Sequence, residues 1–113
     1  RTKLPEVLAR IRDLSIRSGL RIGNVFHAGD GNLHPLICYD GSVPGQAEHA
    51  EGVASEILRY CVEAGGAITG EHGVGADKKG YMSAMFAEAD LEAMQLVRCA
   101  FDPTGICNPG KVF

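Results

Sequence analysis

His27 and His34 stand seven positions apart in FHAGDGNLHPL, on either side of Asp30-Gly31. An imidazole can hold a metal, move a proton near neutral pH, or simply fill space in a sheet. Asp-Gly between β-like segments is a strong hairpin signal, and a two-residue turn there pairs Gly29 with Asn32, Ala28 with Leu33, and His27 with His34. Directly opposed residues share one sheet face with Cβ atoms about 4.5–5.5 Å apart, so the spacing predicts two rings within reach of one ion. The same register sets Pro35 against Phe26 in a non-hydrogen-bonded pair, where its missing N–H is not needed. The alternative is a stacked or merely exposed histidine pair with no ligand.

A carboxylate and a third imidazole follow in GAITGEHGVG, residues 66–75. Two histidines and one carboxylate make a three-ligand catalytic metal site that leaves positions for water or substrate. Glu71 and His72 are neighbours, and in an extended backbone their side chains diverge, which predicts different tasks for them. The surrounding glycines allow close approach of a ligand. The bland alternative is a glycine-rich turn carrying two surface polar residues. A phosphate loop is excluded, since neither the Gly-Lys-Ser/Thr ending nor G-x-G-x-x-G is present. Lys78 and Lys79 make a solvated charge pair or, being near His72, an anion-holding one. His49 reads as a solvated residue on the polar side of a helix, and Cys38 lies about 13 Å along the strand from His34, too far to join it.

These residues need elements to position them. Leu4, Val7, Leu8, Ile11 and Leu14 recur at helical spacing and predict a helix over 4–18 that Gly19 closes. Ala50, Val53, Ala54, Ile57, Leu58, Cys61 and Ala64 predict a second over 45–64, closed by Gly65-Gly66. Leu91, Met94, Val97 and Phe101 predict a third over 88–101, ended by Asp102-Pro103. Residues 21–40 read as the hairpin, and the apolar start of the 66–75 stretch as a short strand. The fold class expected is α+β, an antiparallel hairpin or sheet packed with about three helices.

With 113 residues, 45% of them apolar, the chain is one domain-sized unit at most. A net charge of -3 without charge runs gives no support for nucleic-acid binding. No apolar stretch approaches the roughly 18 residues of a membrane span, and no signal-peptide layout opens the chain. Cys38, Cys61, Cys99 and Cys107 show no paired spacing, which predicts reduced thiols in a cytosolic protein. A start at Arg1 in place of Met predicts a segment of something longer.

Three motifs in order, HAGDGNLHP, GEHGVG followed by Lys78, and FDPTGICNPGKVF, resemble the C-terminal part of FAD-linked 2-hydroxy-acid oxidases of the vanillyl-alcohol-oxidase type. The glycolate oxidase branch is nearest in pattern, with D-lactate and D-2-hydroxyglutarate dehydrogenases as kin. The resemblance implies that His27, His34 and Glu71 hold a divalent metal, Zn or Mn, and that His72 is the catalytic base. It implies Asn108 and Lys111 as cofactor-binding residues toward FAD, and it leaves Lys78 as the substrate-binding candidate. Residues 1–100 would then be the C-terminal half of the substrate- and metal-binding cap domain, and 101–113 a tail returning to an absent FAD domain that binds most of the flavin. Leu36 stands where some relatives carry asparagine, so a polar contact is missing there. The reaction implied is oxidation of a small 2-hydroxy acid, such as glycolate or D-lactate, to the 2-oxo acid. This segment alone is expected to be inactive. Other oxidase subunits or an electron-transfer partner, and a cytoplasmic location peripheral to the inner membrane, complete the expectation. Two readings from other classes stay open: a non-catalytic metal-stabilised interaction domain, and a non-haem iron oxygenase.

Overall fold

The computed structural model describes residues 1–112; the terminal Phe113 of the third motif lies outside the described residues. Their order is α1 (Leu4–Ser18), β1 (Arg21–His27), β2 (Asn32–Cys38), α2 (Gln46–Glu63), a 3-10 turn (Lys79–Tyr81), α3 (Met82–Met85) and α4 (Glu88–Phe101). The architecture is α+β, with β1 and β2 paired antiparallel. The chain divides into two compact units, Arg1–Gly66 and a second that begins at Ala67.

In the first unit the apolar periodicity of α1 and α2 does what the sequence predicts. Pro5, which has no N–H to leave unpaired, and Glu6 sit in the first turn of α1 and Arg17 in its last, the two charges opposing the helix dipole. Gly19 ends the helix at φ 72°, its N–H donating to the Ser15 carbonyl at 3.1 Å. Val7, Ile11 and Leu14 of α1 meet Ala50, Val53 and Ile57 of α2, with Leu20 beside them, in one buried cluster. Ile22, Leu33 and Ile37 of the hairpin pack against that cluster. Alternation along each strand therefore commits one sheet face to the core and turns the residues between outward. His49 does more than face solvent: its Nε2–H donates to the Ser18 carbonyl at 3.0 Å, tying α2 to the last turn of α1.

The second unit is built differently. The short strand expected at the start of 66–75 is absent among the described residues, and the segment is irregular chain anchored by Ile68, which is 2% exposed. Without a neighbouring strand to complete its ladder, an apolar run this short gains nothing from an extended conformation. The 3-10 turn and the one-turn α3 were not legible beforehand, and Met82 is buried there. Helix α4 matches its predicted span, but Val97 and Phe101 of the expected core stripe are exposed and no residue of α4 is fully buried. The Asp90 carboxylate accepts from the Ala87 N–H at 3.1 Å, the reverse half of a capping box whose forward half alanine cannot supply.

Candidate metal and catalytic residues

The hairpin closes two residues earlier than expected. His27 pairs with Asn32, Phe26 with Leu33, Val25 with His34, and Asn24 with Pro35, leaving a four-residue loop over 28–31. The two-residue turn predicted from Asp30-Gly31 needs positive φ at both residues, and only Gly31 has it, at 79°. The His27 carbonyl instead accepts from the N–H groups of both Asp30 and Gly31, each at 3.0 Å. Gly31 is required on two grounds, since a Cβ there would also come within 3.2 Å of the Arg1 nitrogen. Pro35 faces Asn24, not Phe26, and with no N–H to exchange it still fits only a non-hydrogen-bonded pair.

His27 and His34 are thus diagonal neighbours rather than opposed. A register change of two keeps every side chain on its face, whereas a change of one would have reversed them all. Both rings lie on the face away from the core, with centroids 5.4 Å apart and planes at 90°. His27 is exposed and His34 half-buried. Two nitrogens on one tetrahedral zinc sit roughly 3.3 Å apart, a separation that rings so placed reach by small rotations.

Glu71 and His72 belong to the second unit, at an exposed turn. Their side chains do not diverge as an extended backbone would require. His72 Nε2 lies 3.8 Å from Glu71 Oε1, close enough for an ion pair when the imidazole is protonated. Gly73 at φ 81° and Gly75 at φ 59° turn the chain after them. At the base of this turn the Thr69 hydroxyl donates to the Gly73 carbonyl at 2.7 Å, and the Lys78 ammonium donates to the same hydroxyl at 3.4 Å. Neither Thr69 nor its bond to Lys78 was foreseen. The signal available was only a hydroxyl residue next to a glycine-rich turn.

The tail is organised by two residues at the end of α4. The Arg98 guanidinium donates to the carbonyls of Cys107 at 3.0 Å, Asn108 at 3.4 Å and Lys111 at 3.2 Å. The Asp102 carboxylate, 8% exposed, accepts from the Cys107 and Ile106 N–H groups at 2.9 and 3.1 Å. The bond from Cys107, with that from Ile106 and the charge of Arg98, holds the Asp102 carboxyl below its ordinary range despite desolvation. Asn108 adopts φ 47°, and its carbonyl and that of Lys111 both accept from Arg98. Asp102-Pro103 was read only as a helix stop, yet an Asp before Pro-x-Gly is also a turn-former, and Arg in a last helical turn serves free carbonyls. Among the cysteines, burial pushes the Cys61 thiol up, while Cys38, Cys99 and Cys107 are exposed.

Residues 1–112 match the family described as FAD linked oxidases, C-terminal domain. The chain is similar to glycolate oxidase subunit GlcD of Escherichia coli (strain K12), 50% identical over 111 residues that are 98% of this chain and 22% of that protein. Similarity to glycolate oxidase subunit GlcD of Bacillus subtilis (strain 168) is 38% over 113 residues, 100% of this chain and 24% of that one. Mitochondrial D-lactate dehydrogenase (cytochrome) of Kluyveromyces lactis is 35% identical over 112 residues, 99% of this chain and 19% of that one. The chain therefore spans about a fifth to a quarter of the length of these relatives.

Proposed function

The chain belongs to the FAD-linked oxidase C-terminal domain family, and from that premise we propose that it is the substrate- and metal-binding part of an FAD-dependent enzyme oxidising a 2-hydroxy acid of the glycolate or D-lactate type. The observation that carries the substrate class is the match over nearly the whole chain to proteins named for glycolate and D-lactate. His27, His34 and Glu71 hold a divalent metal, zinc or manganese. The donor chemistry supports this: two imidazoles with ring centroids 5.4 Å apart on one outward sheet face, and one exposed carboxylate. The exposure of Glu71 and His72 suits a site open to a small substrate better than a closed structural one. When bound, the metal supplies Lewis-acid polarisation and the flavin accepts the two electrons.

The residues of this chain then have separate tasks. His72, whose imidazole nitrogen can accept a proton, takes the proton from the substrate C2 hydroxyl as the hydride equivalent leaves C2. Lys78 supplies positive charge for the substrate carboxylate. Asn108 and Lys111, on a tail whose carbonyls Arg98 holds, extend toward the flavin. No described helix is long and apolar enough to cross a membrane. Work as one subunit of an oxidase assembly is supported by relatives named as subunits, and the location that goes with this reading is cytoplasmic, peripheral to the inner membrane.

The test separates the two neighbours in the full-length, flavin-loaded protein. Glu71→Ala is expected to lower metal affinity and thereby activity, with part of the loss restored by excess metal. His72→Ala is expected to keep its metal and lose flavin reduction by on the order of 10²- to 10⁴-fold. The readout is anaerobic bleaching of the flavin by substrate, with metal content measured on the same sample. Bleaching at the parent rate by a metal-loaded His72 variant rules out the base role.

A further inference from the structure

We propose that Thr69 is a positioning residue whose hydroxyl, oriented by Lys78, closes the turn that carries Glu71 and His72. The inference rests on the reading of those two as metal ligand and base. The hydrogen-bond roles follow from chemistry. The Gly73 carbonyl can only accept, so the Thr69 hydroxyl proton is committed to it at 2.7 Å; the Lys78 ammonium can only donate, so it enters a lone pair of the same oxygen at 3.4 Å. A donor on that oxygen polarises the O–H and strengthens its bond to Gly73.

The three residues enclosed by this bond, Gly70, Glu71 and His72, lie in neither helix nor strand. Ile68, 2% exposed, seats the chain on one side, and Gly73 at φ 81° reverses it on the other. With no ladder to hold the segment, a side-chain bond from Thr69 to the carbonyl four residues on fixes the separation of its ends. Lys78 thereby acts on the turn through Thr69 as well as through its charge.

The experiment uses the full-length, flavin-loaded protein with Thr69→Val, Thr69→Ser and Glu71→Ala. Zn²⁺ is titrated into metal-stripped samples, and amide hydrogen exchange is followed at residues 70–74. Thr69→Val removes the hydroxyl at nearly constant shape, and is expected to weaken Zn²⁺ binding by about 10- to 100-fold and to accelerate exchange at 70–74. Thr69→Ser, which keeps the hydroxyl, stays close to the parent in both. Parent-like affinity and exchange in Thr69→Val overturn the proposal, as does a serine variant as impaired as the valine one. If Glu71→Ala leaves Zn²⁺ affinity unchanged, the ligand reading fails by itself, and exchange then decides: faster exchange in Thr69→Val alone upholds the closing bond, and unchanged exchange rejects it.

Discussion

The unit Arg1–Gly66 and the one beginning at Ala67 hold their candidate residues by opposite means. In the first, seven buried apolar residues from α1, α2 and the link to β1 form a platform, and the hairpin lies on it with His27 and His34 facing out. In the second, Ile68 and Met82 are the buried apolar residues among those described, and the conformation is held by polar clasps: Thr69 to Gly73, Arg98 to three tail carbonyls, Asp102 to two amides. The difference teaches where each half is vulnerable. Apolar burial is cumulative and does not depend on the charge of any one group, while a clasp depends on single bonds and on the charge of its members.

The largest effect should come from the platform. Ile11, 1% exposed at its centre, is expected to cost about 2–5 kcal/mol when changed to Ala, as lost transfer energy plus an unfilled cavity. Urea denaturation of the 113-residue chain measures it. A cost no greater than that of a surface change would erase the contrast between the units.

The tail clasp gives the next test, and pH supplies its sign. The folded-state carboxyl of Asp102 is depressed, chiefly by the Cys107 N–H. Its contribution is therefore fully present above the ordinary Asp value of about 3.9 and is lost as pH falls through the lower folded value. Amides of Ile106 and Cys107 should lose protection through that acid window, and Asp102→Asn should show faster exchange already at neutral pH. Protection unchanged in both conditions would mean that the tail is not held by this charge.

Smaller still is His49→Ala, which removes one hydrogen bond to the Ser18 carbonyl and is expected to cost about 1 kcal/mol while leaving metal content at the parent level. His27→Ala and His34→Ala should each lower metal content instead, so elemental analysis of the three variants in the full-length protein sharpens the contrast between a histidine that joins helices and two that share a face. The smallest change is expected at Leu96, 72% exposed on α4, where substitution by Ser should shift the stability of this chain by less than about 0.5 kcal/mol. A larger loss would show that α4 has a packed face after all.

Sequence by itself determined the helices and the chemistry available. The spans 4–18 and 88–101 were legible to the residue, and 45–64 to within one at each end, because apolar spacing, Gly19 and Asp102-Pro103 act within a turn or two of the backbone. The motifs around His27, His34 and Glu71 identified their family for the same reason: residue types in order need no coordinates. The pairing of the hairpin was decided elsewhere. Asp30-Gly31 favours a two-residue turn locally, but the ladder closes at His27 and Asn32; that change of two leaves Ile22, Leu33 and Ile37 on the core side in either register, and the histidines became diagonal neighbours that still share one sheet face. The 66–75 stretch lost its expected strand for want of a partner, and the Thr69–Lys78 bond joins residues nine apart through side chains that no periodicity relates. Local propensity is a few tenths to about 1 kcal/mol per residue, and burial of a single large apolar side chain is worth about 1.5–3 kcal/mol, so wherever the two disagree tertiary packing prevails.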